Sequence, residues 1–164
     1  MVLTSTLGSL LFRCATNCRE DRVLRAVIQE FPDANFIPNK KGKLPFQCAA
    51  YNLHPEAVDY LYKENPDAVM ALDYNGNNPL HDAAKTFNYE VIHKLFAWKA
   101  DLARIRNFRE QLPIHKAFSY IPTGNTRLYF RHLKSIEALI AQNPETLSLP
   151  DQVCFSFSLV KILL

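Results

Sequence analysis

Glycine is scarce in this chain, with only four among 164 residues. Phosphate-binding loops of nucleotide-binding proteins depend on glycines at fixed spacing, and neither G-x-x-x-x-G-K-S/T nor G-x-G-x-x-G occurs here. The nucleophile-elbow motif G-x-S-x-G and the zinc-protease motif H-E-x-x-H are also absent from the sequence. We therefore predict that the chain is not an enzyme and that it binds no cofactor.

Neither sign of charge dominates, because 19 basic and 16 acidic residues leave a net charge of only +3. This balance does not imply nucleic acid or an anionic membrane as an obligatory partner. The sequence also lacks a run of about 18–20 apolar residues, the length needed to cross a bilayer. Because 48% of the residues are hydrophobic, one well-packed domain is the expectation.

What the chain does contain is a repeat marked by proline. Pro45, Pro79 and Pro113 recur with a constant period of about 34 residues, and Gly8 opens a degenerate copy of the same frame that begins at Gly42. A constant period of this length is typical of a solenoid, in which each unit buries its apolar face against its neighbours. We predict an all-α array within residues 1–151, with about four helix–turn–helix units joined by short turns. The units are 5–38, 39–72, 73–106 and 107–150.

Proline also predicts where helices begin and end. In the second unit, Pro45 and Pro55 each begin a helix, because proline is tolerated in the first helical turn. The second helix ends at Asn65–Pro66, because proline cannot continue it. An apolar stripe at helical spacing recurs in every second helix. Its members are Leu24, Val27 and Ile28; Val58, Leu61 and Tyr62; Ile92, Leu95 and Phe96; and Ile136, Leu139 and Ile140.

Two segments resemble the ankyrin repeat family. Residues 78–84 read Asn-Pro-Leu-His-Asp-Ala-Ala, similar to the family's T-P-L-H-x-A-A helix start, and residues 112–117 are a second copy. Tetratricopeptide repeats share the same period but expect tryptophan in the first helix, whereas Trp98 lies at the end of a second helix. The resemblance spans about residues 8–151. It implies an ankyrin-type helical solenoid that binds other proteins.

The resemblance also implies a structural role for His81 and His115. In the family, a histidine at this position hydrogen-bonds the backbone of the adjacent turn and fixes the stacking of repeats. Gln47 and Arg13 occupy the position in the second and first units. Because the two histidines are one repeat apart and no carboxylate–serine constellation accompanies them, catalysis is not favoured.

The four cysteines do not have the spacing of a disulfide framework. Cys14 and Cys48 stand one period apart. Equivalent positions of a stacked array lie roughly 10 Å from each other, about one helix diameter, which is beyond the ~7 Å reach of a disulfide. Cys14 and Cys18 would supply half a zinc site, but a second pair at ligand spacing is missing from the sequence. We predict a reduced, intracellular chain, cytoplasmic or nuclear, that holds no metal.

The projecting turns and the adjacent ends of the first helices form the predicted binding surface. Phe108 beside Arg109 carries the most weight, because aromatic residues and arginine are enriched in interface hot spots. The alternative interpretation is that these turn tips are merely solvated. The candidate partner-binding residues are Lys40, Lys41, Lys43, Tyr51, Asn52, Tyr74, Asn75, Asn77, Lys85, Thr86, Phe108, Arg109 and Gln111.

Two segments depart from the period. About ten extra residues lie within 120–131, and they either form a second contact loop or, through Leu128, Tyr129 and Phe130, extend the following helix. Residues 152–164 are apolar and almost uncharged, whereas a solenoid normally closes with a polar-faced cap. We hypothesise that the array has been cut short by a truncated or mispredicted end. The alternative is a short native cap on the fourth unit.

These patterns favour a non-catalytic module that binds a protein partner of unknown identity. One alternative is a regulatory or targeting segment of a larger protein with an enzymatic part. A weaker one is nucleic-acid binding through two basic clusters. Those clusters are Lys40, Lys41 and Lys43, and Arg104, Arg106 and Arg109. The partner itself does not follow from the fold.

Overall fold

The computed structural model describes residues 13, 15, 21–119 and 126–145, and in these ranges the chain is all-helical without strands. The α-helices are α1 (Asp21–Glu30), α2 (Pro45–Tyr51), α3 (Pro55–Glu64), α4 (Pro79–Lys85), α5 (Tyr89–Trp98), α6 (Pro113–Phe118) and α7 (Thr126–Gln142). Short 3-10 helices follow the second helices, at Pro32–Phe36, Pro66–Met70 and Ala100–Arg104. The predicted all-α solenoid is confirmed.

The helices form two layers. The first helices of successive units, α2, α4 and α6, pack side by side in one layer, and the second helices, α3, α5 and α7, stack behind them. Helix α1 is the second helix of the first unit and packs against α3. Because each helix contacts mainly the next helix in its own layer and its partner in the same unit, the array grows in one direction.

Proline begins the helices where the sequence predicted. Helices α2 and α3 start at Pro45 and Pro55, and α4 and α6 at Pro79 and Pro113. Pro66 ends α3 as predicted, but it also opens a 3-10 helix, which the sequence pattern did not indicate. Proline suits this place because the first residue of a helix needs no N–H donor.

The core lies between the two layers and is built from different residues on each side. The first helices meet through alanines such as Ala49 and Ala83, which have no exposed surface and allow close approach of the backbones. The predicted stripe of the second helices is buried at its first two positions in each unit. Its third position is only half-buried at Tyr62, whose ring stacks on Trp98 with centroids 3.8 Å apart.

The described part of the insertion in the fourth unit, residues 126–131, lengthens a helix. Helix α7 has 17 residues, whereas α3 and α5 have 10 each. Leu128, Tyr129 and Phe130 belong to its first turns, so the interpretation that they extend the following helix is correct. Residues 120–125 and the predicted tail, 152–164, lie outside the described residues, as do Cys14, Cys18 and Cys154. None of the helices described here is long and apolar enough to cross a membrane.

Candidate functional site

Asx side chains close the turns between units. Asp73 Oδ1 accepts hydrogen bonds from the backbone N–H groups of Asn75 and Asn77, both at 2.9 Å. Asn39 and Asn107 make the equivalent two bonds one repeat earlier and one repeat later. Such local bonds hold a turn in one conformation. The turn tips are therefore ordered surfaces.

Neighbouring turn tips are joined to each other. The backbone N–H of Tyr74 donates to the carbonyl of Lys41 at 3.0 Å, and the Tyr74 ring lies directly over Gly42. Phe108 repeats this arrangement over Gly76. The two rings are still 69% and 73% exposed. Each aromatic thus covers the preceding turn with one face and presents the other to solvent.

His81 links the third unit to the fourth. Its Nδ1 accepts from the backbone N–H of Asn78 at 3.2 Å, which leaves Nε2 to donate to the carbonyl oxygen of Gln111 at 2.9 Å. Burial lowers the pKa of His81 to about 4, against the raising effect of the Gln111 bond. The imidazole is therefore neutral near pH 7, with both nitrogens occupied. This geometry agrees with the stacking role that the family resemblance implies.

Gln47 takes the place of histidine in the second unit. Its Oε1 accepts from the N–H of Leu44 at 3.0 Å, and its Nε2 donates to the carbonyl oxygens of Asn77 and Ala71 at 3.1 and 3.3 Å. His115 begins the same pattern in the fourth unit, where Nδ1 accepts from the N–H of Leu112 at 3.0 Å. A glutamine amide offers the same acceptor and donor as the neutral imidazole tautomer that we infer from these contacts.

A groove of about 590 Å³ runs between the turn tips and the first helices. Most of the predicted residues line it, namely Lys40, Lys41, Lys43, Tyr51, Asn52, Asn75, Asn77 and Lys85. The remaining ones, Tyr74, Thr86, Phe108, Arg109 and Gln111, lie outside this lining. The structure therefore brings most of the predicted partner-binding residues together in one groove. The role of these residues in binding stays a prediction.

An ion pair forms the groove floor. Lys43 Nζ lies 2.5 Å from Asp82 Oδ1 and 3.8 Å from Asp73 Oδ2. Both carboxylates are buried. Burial raises the pKa of Asp82 to about 6, and Lys43 acts in the opposite direction. This pair joins the turn before α2 to helix α4, and the sequence pattern alone did not single out Asp82.

Cys48 and Lys116 are two further groove residues that were missed. Cys48, Asp82 and Lys116 each follow the residue at the histidine position, one period apart, and all three line the groove. The variable position x of the H-x-A motif was therefore the signal that could have revealed them. Burial raises the pKa of the Cys48 thiol to about 11, so the thiolate is rare near neutral pH.

Several predicted residues have side chains that hold the fold together. Asn77 Nδ2 donates to Asp73, and Asn77 Oδ1 accepts from Asn107 at 2.8 Å. Thr86 Oγ1 donates to the carbonyl of Asp82 at 3.2 Å. Asn52 Nδ2 likewise donates to a backbone carbonyl of its own helix. These polar groups are already satisfied, which favours the lysines and aromatics of the surface as contact residues.

Among the residues that the structure describes, the remaining lysines of the groove have no carboxylate at salt-bridge distance. These lysines are Lys40, Lys41, Lys85 and Lys116. The Nζ atoms of Lys43 and Lys85 lie 5.2 and 5.8 Å from the centre of the Tyr51 ring. The groove therefore has a positive wall and a partly negative floor.

The fold defines a class of protein, the helical solenoid whose turn tips and first helices enclose a groove. The family model for ankyrin repeats matches residues 11–105 in three copies, more than half of the chain, and the chain belongs to the ankyrin repeat family. Ankyrin repeats generally act as protein–protein interaction modules and are typically non-catalytic. The fourth unit lies beyond the matched residues. A search of curated proteins for relatives found no match.

Proposed function

We propose that this chain binds a protein partner through its turn tips and the adjoining groove, and that it catalyses no reaction. The observation that carries the proposal is that successive turn tips contact one another. Tyr74 and Phe108 each pack on the preceding turn and remain largely exposed. A surface that is already ordered loses little conformational entropy on binding. Exposed aromatic residues are also the type enriched at interfaces.

The ionisable groups of the groove support a binding role over a catalytic one. Cys48 has a raised pKa, and both ring nitrogens of His81 are held by backbone groups. Asp82 is paired with Lys43. A nucleophile next to an available base, the arrangement required for covalent catalysis, is not formed by these residues.

Nucleic-acid binding has less support because the basic clusters are partly neutralised. Lys43 is paired with Asp82 and Asp73. Arg104 lies 4.0 Å from Glu145 in the second cluster. We further propose an intracellular location, cytoplasmic or nuclear, because the cysteine spacing favours reduced thiols.

Affinity capture from cell lysate tests the proposed function. We expect a partner that is retained by the native chain and lost from the variant carrying Tyr74→Ala, Phe108→Ala and Arg109→Ala. The matched control carries Phe31→Ala, Phe36→Ala and Arg22→Ala, which remove exposed residues of the same types outside the groove. Thermal unfolding verifies that both variants are folded. If both capture the same proteins as the native chain, the turn-tip assignment is wrong.

A further inference from the structure

The charges that face the groove do not balance. Lysines outnumber carboxylates along its lining, and of these lysines Lys43 lies within salt-bridge distance of both carboxylates, Asp73 and Asp82. In the described part of the chain, the groove cations that have no carboxylate within salt-bridge distance are Lys40, Lys41, Lys85 and Lys116. An anionic ligand would complete this set of charges.

The two cations on the helical wall are held near one another. Lys85 ends helix α4 and lies over Tyr51, while Lys116 on the neighbouring helix α6 donates to Gln111 Oε1 at 2.8 Å. Burial lowers the pKa of Lys116, and the charges of Arg109 and Lys85 lower it further, whereas the carboxylates of Asp73 and Asp82 act in the opposite direction. An anion placed between these side chains would remove the repulsion between like charges.

We propose that the groove binds an extended acidic segment of the partner protein. Glutamate or aspartate side chains of that segment pair with Lys85 and Lys116 on the helical wall, and others pair with Lys40 and Lys41 at the turn. This inference rests on the proposed function and adds the chemistry of the partner. The groove volume of about 590 Å³ is in the range of small-molecule sites, roughly 300–1,000 Å³, so it holds a short stretch of such a segment.

The groove floor favours a peptide over a nucleic acid. Asp73 and Asp82 place carboxylates beneath the lysines, where a phosphodiester backbone would bring only negative charge and hydrogen-bond acceptors. An extended peptide instead presents backbone N–H donors along its length together with separate acidic side chains. Because both floor carboxylates are buried, the separate acidic side chains of a peptide can reach the lysines of the wall, whereas a phosphodiester backbone carries negative charge along its whole length.

Fluorescence anisotropy with a labelled peptide tests this inference. The probe is a dodecapeptide of alternating glutamate and serine, titrated with the full chain. The first comparison peptide replaces glutamate by glutamine, and the second probe is a single-stranded oligothymidylate of equal charge. We expect the glutamate peptide to bind more tightly than either, with an affinity that falls as salt rises from about 50 to about 200 mM.

Charge-matched variants locate the binding. Lys85→Gln with Lys116→Gln should weaken glutamate-peptide binding about five- to tenfold, as expected for the loss of two partly exposed ion pairs. Lys63→Gln with Lys99→Gln alters the net charge equally, lies outside the groove lining and should change affinity less than about twofold. Equal effects of the two pairs, equal binding of the glutamine peptide, or oligothymidylate binding at least as tight would each overturn the inference.

The capture experiment separates this inference from the proposed function. If the Lys85→Gln, Lys116→Gln chain retains a partner that the turn-tip variant loses, the surface binds protein but not through an acidic segment. If neither variant alters capture, the proposed function itself is wrong. Loss of the partner from both variants supports both proposals.

Discussion

Gln47 makes the same pair of hydrogen bonds that His81 makes one repeat later, one within its own unit and one to the next unit. Each side chain accepts from the backbone N–H at the start of its own helix, at Leu44 and Asn78, and donates to the carbonyl oxygen of the residue thirty positions on. The position therefore requires a planar acceptor–donor pair of fixed separation. It does not require an imidazole.

Substituting His81 by glutamine should preserve stability at pH 7 and reduce sensitivity to acid. The pKa of His81 is lowered from 6.5 to about 4, so the unfolded chain takes up the proton first as the pH falls. Its contribution to stability is present above about pH 6.5 and is lost as the pH falls towards 4. Urea unfolding at pH 7 and 4.5 measures how much the free energy of unfolding falls on acidification. We expect this fall to be about 2 kcal/mol smaller in His81→Gln than in the native chain. His81→Ala, which leaves buried backbone groups unpaired, should lose about 2–3 kcal/mol at pH 7. If the free energy of unfolding falls equally with acid in His81→Gln and in the native chain, His81 is not the source of this pH dependence.

Asp82 has the opposite linkage to pH. Its pKa is raised from 3.8 to about 6, so the folded chain takes up the proton first and Oδ2, which has no hydrogen-bond partner in the described structure, is free to hold it. The contribution of Asp82 protonation to the stability of the fold is present below about pH 4 and is lost as the pH rises through 6. The test compares the His81→Gln chain with a chain that carries both His81→Gln and Asp82→Asn. When the pH is lowered from 7 to 4.5, the free energy of unfolding of the first chain should rise by about 1–2 kcal/mol relative to that of the second. The exposed control Asp67→Asn should not reproduce this difference. If the free energy of unfolding responds equally to pH with and without Asp82→Asn, Asp82 does not take up a proton in the folded chain over this range.

Gly42 and Tyr74 should be energetically coupled. Gly42 has φ of +76°, and a Cβ there would overlap the Tyr74 ring. Gly42→Ala should cost about 2–3 kcal/mol alone, but only the backbone cost of about 1–2 kcal/mol when Tyr74→Ala is also present. At Gly76 a Cβ would lie 2.8 Å from the backbone nitrogen of Phe108, so Phe108→Ala should rescue Gly76→Ala much less. Additive effects at Gly42 in thermal unfolding would show that the ring does not constrain this turn.

Glu110 should be more stable as glycine. It occupies the position of Gly42 and Gly76 one repeat later, and it has φ of +58° without the freedom of glycine. Because its side chain is exposed, Glu110→Gly removes strain and little packing, and we expect a gain of about 0.5–1 kcal/mol. Glu110→Ala keeps the strain and should leave the unfolding midpoint nearly unchanged. A destabilised Glu110→Gly chain would mean that the glutamate side chain itself supports the turn.

Local features were predictable because they are encoded within a few residues. Pro45 and Pro55 begin helices through the same steric rule, and Asp73 closes its turn with bonds to residues two and four positions on. The 3-10 helix at Pro66 was missed because proline there both ends one helix and starts another. The fate of residues 126–131 was left open since their composition suits a loop or a helix. Their placement in α7 depends on packing against α5.

The candidate site was predicted only in outline. The turn tips follow from the period, but the pairing of Lys43 with Asp82 joins residues 39 positions apart and depends on how one unit stacks on the next. Asn77 and Gln111 are predicted to face a partner, and the structure shows in addition that Asn77 Oδ1 accepts from Asn107 and Gln111 Oε1 accepts from Lys116 within the array. Sequence spacing shows which residues occupy the same position in successive repeats. It does not show which of their atoms form hydrogen bonds within the array.

The amino-acid sequence by itself determined the ankyrin fold, because the period, the helix-starting prolines and the apolar stripes each act over short distances and repeat. The tertiary structure decided the character of the groove. Stacking places Lys43 on buried carboxylates and rests Tyr74 on Gly42. Among the residues that the structure describes, it leaves Lys85 and Lys116 without a carboxylate at salt-bridge distance. These relationships depend on distances across units and on burial, which strengthens electrostatic interactions by excluding water, and neither quantity can be read from the order of residues.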